Sequence, residues 1–249
     1  MTSGAGSGTC PGCGAPHSAV AGFCGKCGRA LGPAHPGASV RGREGNAVAA
    51  IAIVFVGTLL SLAASGFLVR LELPGGVIAP LFSALLLAVG VAASWVLLRE
   101  GWRMTFGAPA SASTILVGAA AGAASFGLTL LVVGLLGRLF GRTAPPESTW
   151  QPLNLLVVAA IPACVEEWLC RGVLWTALRE VSDTVGTIVL SAALFSLMHV
   201  LNGAFVLELP HRLVAGLVFG LVRWKTGSLG PAVAAHFVHN VLAVVLLGE

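Results

Sequence analysis

The sequence is poor in charged residues. Only 10% of its 249 residues are Asp, Glu, Lys or Arg, whereas 56% are hydrophobic and the mean hydropathy is +0.92. A soluble domain carries about 25% charged residues, so this deficit predicts a membrane protein. The net charge of +4 lies mainly in the connections between apolar runs, which suits lipid headgroups better than nucleic acid. We therefore expect a lipid bilayer, and no nucleic acid, among the partners.

A cleavable signal sequence is also lacking. The first residues, MTSGAGSGTCPGCG, contain no basic stretch followed by an apolar one. We therefore expect the amino terminus to stay in the cytoplasm and the chain to be a multi-pass protein of the plasma (inner) membrane.

Four of the six cysteines lie near the amino terminus, in two C-x2-C pairs. Four thiolates at this spacing suit tetrahedral zinc, and the segment is too short to fold on an apolar core. We predict a structural zinc ribbon over residues 9–32, after a disordered tail (1–8) and before a linker (33–46). The ribbon would offer a docking element for a protein partner. Two disulfides are the alternative, which a reducing compartment disfavours. The predicted zinc ligands are Cys10, Cys13, Cys24 and Cys27.

Seven apolar segments follow the linker, each long enough or nearly so to cross about 30 Å of hydrocarbon. They predict an all-α polytopic membrane bundle of about seven transmembrane helices over residues 47–249. With the amino terminus inside, seven basic residues fall on the inner side and four on the outer side, which supports this orientation. The segments are 47–69, 75–98, 113–137, 153–178, 184–201, 204–222 and 228–247. The inner set is Arg41, Arg43, Arg99, Arg103, Arg179, Arg223 and Lys225, and the outer set is Arg70, Arg138, Arg142 and Arg212.

Two small-residue patterns lie inside these segments, Gly118-x3-Gly122 and Gly216-x3-Gly220. Glycines one turn apart let two helices approach closely. We expect both patterns to pack against helices of the same chain rather than to form a dimer interface.

Ionisable residues interrupt the fourth apolar segment, in the stretch ACVEEWLCRGV at residues 163–173. Each such group costs about 2.5–3.5 kcal/mol on insertion scales, so it should face a partner or a wet cavity. Glu167 and Arg171 are four residues apart and can pair on one helix face. Glu166 points about 100° away and has no charge one turn further on. We predict that Glu166 is left free to act as a general base.

Two later segments carry further polar residues. Phe195 lies one turn before His199, and His236 lies one turn before Asn240. Taken singly, each histidine is explained by an interhelical hydrogen bond. Together with Glu166 they supply the base and the oxyanion donors that water-mediated peptide hydrolysis requires. No serine or cysteine lies convincingly beside a histidine as a nucleophile.

Three motifs, EEWLCR, FSLMH and HFVHN, fit the patterns E-E-x3-R, F-x3-H and H-x3-N and occur in that order. The chain therefore resembles the CPBP family of intramembrane proteases, which includes the CAAX prenyl endopeptidases and bacteriocin-processing or self-immunity proteins. The resemblance covers about residues 150–245. It implies an endopeptidase acting on a peptide or membrane-protein substrate that enters from the membrane or its cytoplasmic face. It implies that Glu166 and His199 activate water, that His236 and Asn240 hold the oxyanion, and that Glu167, Arg171 and Phe195 support the site.

Other interpretations of the same residues stay open. Glu166, His199 and His236 form a His2Glu set such as zinc proteases use, whereas the resemblance implies a metal-independent mechanism, which we favour. A proton-coupled transporter also uses intramembrane Glu and His, but the sequence shows no inverted repeat. A non-catalytic immunity or scaffold protein is a further alternative. His239 either lines the cavity or packs, and Asn202 is a candidate for orienting the loop after His199.

Overall fold

Helices make up most of the chain in the structure, a computed structural model that describes residues 7–11, 14, 16–18, 40–97, 105–140, 155–199 and 205–247. Within these residues there are seven helices, and each coincides with one of the seven predicted apolar segments. They are α1 (Val40–Arg70), α2 (Gly75–Leu97), α3 (Ala112–Phe140), α4 (Leu155 to Val181), α5 (Thr184–Leu197), α6 (Phe205–Thr226) and α7 (Leu229–Leu247).

Helix α1 begins earlier than the sequence predicts. The expected linker ran to residue 46, but the chain is helical from Val40 onward. The prolines of that linker, Pro33 and Pro36, both precede the helix, and no proline interrupts the residues that follow. The helical domain therefore starts within the predicted linker.

Four of the seven helices are long and apolar enough to cross a membrane by length and composition, namely α1, α2, α3 and α7. The chain is thus a multi-pass membrane protein. Helix α5 is apolar but shorter, with 14 residues. Helices α4 and α6 carry the charged residues of the candidate site, such as Glu166 and Arg212, which lower their hydropathy. That α4, α5 and α6 also cross the membrane, as the expected count of about seven spans requires, stays a prediction.

Helix α4 is irregular. It is π-helical at Leu155–Ala160 and Trp168–Leu174, and α-helical at Ile161–Glu167 and Trp175–Val181. Residues 168–174 are all buried. Wider turns of this kind shift the register of side chains along a helix and are frequent at functional sites. Here the second π-helical stretch begins directly after the two adjacent glutamates.

The small-residue patterns pack within the chain, as predicted. A Cβ atom at Gly118 would meet the backbone of Pro231, and one at Gly122 would meet the carbonyl of Ala235, so α3 and α7 approach backbone to backbone. On α6, a Cβ at Gly216 would meet the backbone and Cβ of Ala192 on α5, and one at Gly220 would meet the side chain of Ile188. These contacts show that α3 runs parallel to α7, whereas α6 runs antiparallel to α5. They also hold α7, which carries His236, against α3, and α5, which His199 follows, against α6.

The amino-terminal segment contains a small hairpin. Strand β1 (Ser7–Thr9) pairs antiparallel with β2 (Pro16–Ser18), and the N–H of Gly14 donates to the carbonyl of Cys10 over 2.8 Å. Strand β1 overlaps the predicted tail, and Cys10 is buried. The other predicted zinc ligands, Cys13, Cys24 and Cys27, lie outside the described residues, so the zinc ribbon stays a prediction.

Candidate active site

A buried ion pair lies at the centre of the site. Nη1 of Arg171 donates to Oε1 of Glu167 over 2.9 Å, and both side chains are fully buried. The pair predicted from the four-residue spacing is therefore present. The second guanidinium nitrogen donates to the carbonyl of Gly216 on α6, and the guanidinium lies over the ring of Phe195 on α5 at 4.7 Å. The Arg171 guanidinium on α4 thereby contacts both α5 and α6.

Glu167 also holds a histidine of the last helix. Its Oε1 lies 3.1 Å from Nδ1 of His236, and a carboxylate can only accept, so Nδ1 carries the proton and donates. The imidazole is stacked on Phe219 with a centroid distance of 5.0 Å and meets Phe195 edge to face at 5.2 Å. These contacts fix the ring and leave Nε2 as the nitrogen available to a ligand.

The second glutamate faces His199 across a short gap. Oε2 of Glu166 and Nε2 of His199 are 3.8 Å apart, which is too far for a direct hydrogen bond. Among the described residues, Glu166 Oε2 has no hydrogen-bond partner, although the side chain is buried. One water molecule can contact both atoms across such a gap. The arrangement therefore has the geometry of a carboxylate and an imidazole that share a water.

The tautomer of His199 follows from its other contact. Its Nδ1 lies 2.9 Å from the carbonyl oxygen of Phe195, one turn earlier on α5. A carbonyl only accepts, so Nδ1 is the donor, and in the neutral ring Nε2 is then an acceptor. The F-x3-H spacing therefore lets Phe195 contact His199 in two ways. Its carbonyl orients the imidazole, and its ring packs on the imidazole with a centroid distance of 5.1 Å.

A cavity of about 370 Å³ lies beside Glu166, His199 and His236. The four residues predicted to be catalytic, Glu166, His199, His236 and Asn240, all line it. Its volume is within the range of pockets that enclose small ligands or a short peptide segment. The structure therefore brings together on one surface four side chains from α4, α7 and the end of α5.

The cavity also contains polar residues that the sequence analysis did not assign to a site. They are Ser65, Ser83 and Arg212. A signal for Arg212 was available, because it is a charge within an apolar segment, which is the criterion that identified Glu166. The two serines carry no such signal, since small hydroxyl residues are common in membrane helices.

Other predicted candidates lie elsewhere. His239 is buried against α3, where Nδ1 lies 3.1 Å from Oγ of Ser125 and the ring meets Phe126 edge to face. Of the two alternatives for His239, the structure thus supports packing. Asn202 lies outside the described residues. Among the residues that the structure describes, no group of three or more His, Cys, Asp or Glu side chains is arranged to hold a metal ion.

The fold and the cavity together define a class: a multi-pass helical membrane protein with a buried carboxylate–histidine site between its helices. Comparison with protein families identifies the class more closely. The model of the family described as Type II CAAX prenyl endopeptidase Rce1-like matches residues 148–242. This stretch contains all three motifs, so the resemblance to the CAAX prenyl endopeptidases of the CPBP family is confirmed for it. Comparisons with curated proteins and with solved structures gave no match.

Proposed function

We propose that the chain is an intramembrane endopeptidase in which Glu166 and His199 activate a water molecule. The family match supports a peptide hydrolase in general. The observation that carries the finer assignment is the 3.8 Å gap between Glu166 Oε2 and His199 Nε2 at the wall of a cavity that His236 and Asn240 also line.

The reaction follows from the roles that these atoms can take. A water in the gap donates one hydrogen to the Glu166 carboxylate and is oriented by the acceptor Nε2 of His199. As its oxygen bonds to the peptide carbonyl carbon, Glu166 takes the proton. When the carbon–nitrogen bond breaks, the same proton passes to the leaving amine. General base catalysis of this kind contributes about 10²–10⁴-fold.

The oxyanion that forms needs donors on the other side of the carbonyl. Asn240 supplies its amide N–H₂, and His236 donates from Nε2 when both ring nitrogens carry protons. Since its Nδ1 already donates to Glu167, the Glu167 carboxylate is the counter-ion for that form of the ring. Glu167 is in this account a positioning residue, and Arg171 holds it in place.

The test compares the termini of membrane proteins in cells that carry the wild-type chain with those in cells that carry Glu166→Gln. We expect a set of peptide ends in wild-type cells that is absent with Glu166→Gln. Cys164→Ala is the matched control, because Cys164 lies two residues away on the same helix and is exposed at the surface of the protein. Identical sets of ends in all three strains contradict the proposal.

A further inference from the structure

Phe219 of α6 is stacked on the imidazole of His236. The two rings are almost parallel, with an interplanar angle of 20° and a centroid distance of 5.0 Å. Phe219 meets the rings of Phe195 and His239 edge to face instead, at 5.8 Å each. The Phe219 side chain is fully buried. Of these three neighbouring rings, only that of His236 is stacked on Phe219.

In the proposed reaction, His236 carries a positive charge. Its Nδ1 donates to Oε1 of Glu167, so Nε2 can donate to the oxyanion only when it holds a second proton. That proton stays on Nε2, because Glu166 is the group that takes the proton of the attacking water and passes it on. The cationic ring must therefore persist in a buried position while the oxyanion forms.

The carboxylate of Glu167 is shared between two donors. Its Oε1 accepts from Nη1 of Arg171 over 2.9 Å and from Nδ1 of His236 over 3.1 Å. When His236 is doubly protonated, one carboxylate faces two cations, and the like charges of Arg171 and His236 repel each other. A second source of negative potential at the imidazole would therefore favour the form of the ring that donates to the oxyanion.

The face of a phenyl ring is such a source. The π electrons give an aromatic face a negative potential, which attracts a cation that lies within about 6 Å of the ring centroid, and the attraction is larger where water is excluded. Phe219 lies within this distance of His236, and both side chains are buried. The same ring centroid is 5.7 Å from Cζ of Arg171. Phe219 is thus within reach of both cations that share Glu167.

We propose that Phe219 is a positioning residue of the active site, whose π face stabilises the doubly protonated ring of His236 and so its hydrogen bond to the oxyanion. This inference rests on the proposed function, in which His236 donates from Nε2. The role is electrostatic, because an aliphatic side chain in the same place would fill the space without supplying negative potential.

Fluorination of the ring tests the electrostatic role with little change of shape. Phe219 is replaced, by suppression of an amber codon, with phenylalanine analogues that carry one, two or three ring fluorines, which withdraw electron density from the face. The purified, lipid-reconstituted variants are assayed with a peptide that spans one of the Glu166-dependent ends. We expect kcat to fall with each added fluorine, by about 3–30-fold in all for three fluorines, while KM stays within a few fold of the wild type.

Phe126 of α3 is the matched control. It is also buried, and its ring meets His239 edge to face at 5.9 Å. We expect the same fluorine series at Phe126 to leave kcat unchanged. Thermal unfolding in detergent is measured for both series, so that a loss of rate is not confused with a loss of fold.

A kcat that does not change with the number of fluorines at Phe219 overturns the inference, and it leaves the proposed protease activity in place as long as cleavage still depends on Glu166. An equal fall of kcat in both series overturns the inference as well, because the loss would then not come from the face that His236 contacts. The absence of any Glu166-dependent cleavage overturns the proposed function together with the inference.

Discussion

Two adjacent glutamates of α4 have opposite surroundings. Glu167 accepts from Arg171 and from His236, and its side chain is fully buried. Glu166 instead lines the cavity, 3.8 Å from Nε2 of His199, whereas Oε2 lacks a hydrogen-bond partner among the described residues in both glutamates. Removing one partner of a buried ion pair destabilises the fold, because the other charge is left buried alone. A buried carboxylate that lacks such a partner lowers stability, and a role in the reaction explains its presence.

Replacing each glutamate by glutamine separates the two cases. Glu167→Gln leaves Arg171 buried without its counter-charge, so we expect it to lower the free energy of unfolding by about 3–5 kcal/mol. Glu166→Gln removes a buried carboxylate whose Oε2 has no hydrogen-bond partner among the described residues, so we expect it to leave stability unchanged or to raise it slightly while activity is lost. Thermal unfolding in detergent measures both. An equal loss of stability in the two variants would sink this account of the pair.

The sequence predicts one of the contacts of Glu167 and not the other. The pair with Arg171 follows from a four-residue spacing on one helix, where geometry is fixed by the helical turn. The contact with His236 joins residues 69 positions apart on α4 and α7, and no local pattern specifies how two helices rotate about their axes. The packing of Phe219 on His236 is not predictable from the sequence for the same reason.

At the scale of elements, the contact between α3 and α7 determines where His236 lies. Gly122 faces the carbonyl of Ala235, which is the residue directly before His236. The sequence predicts the positions of all seven helices, because apolar segments separated by polar ones are a strong signal. It does not predict the π-helical stretches of α4. In the second of them, the carbonyl of Arg171 accepts from Nε of Arg223 on α6, which is a contact between residues distant in the sequence.

A methyl group added at Gly122 tests this contact. We expect Gly122→Ala to destabilise the protein by about 1–3 kcal/mol, because the backbone of α7 must move away, and to reduce cleavage by displacing His236. Gly127→Ala is the matched control on the same helix, where an added Cβ meets nothing within 4 Å. There we expect a gain of about 0.5–1 kcal/mol from the better helix former. Equal stabilities for both variants in thermal unfolding would contradict the close approach.

At the scale of the whole molecule, we expect the predicted zinc ribbon and the candidate active site to be separate units with separate chemistry. The chain places four cysteines before α1, and the cavity lies at the far end of that helix. Hydropathy alone does not determine the number of spans, because the helices that carry the candidate site contain charged residues, which lower their mean hydropathy.

Metal analysis of the purified chain separates the two units. We expect about one zinc ion per chain, lost in Cys24→Ser, because four thiolates form a closed structural site. In a variant lacking residues 1–32, we expect peptide cleavage to continue in the presence of a chelator, since we propose that Glu166 and His199 activate water without a metal. Loss of cleavage on chelation in that variant would instead favour zinc held by Glu166, His199 and His236.

The central claim is that Glu166 is the base that activates water for peptide hydrolysis. Its most direct test is the rate at which the purified, lipid-reconstituted chain cleaves a peptide that spans one of the Glu166-dependent ends found in cells. We expect Glu166→Gln to lower kcat by about 10²–10⁴-fold while the affinity for the peptide stays within a few fold of the wild type. A kcat for Glu166→Gln equal to that of the wild-type chain would contradict the account.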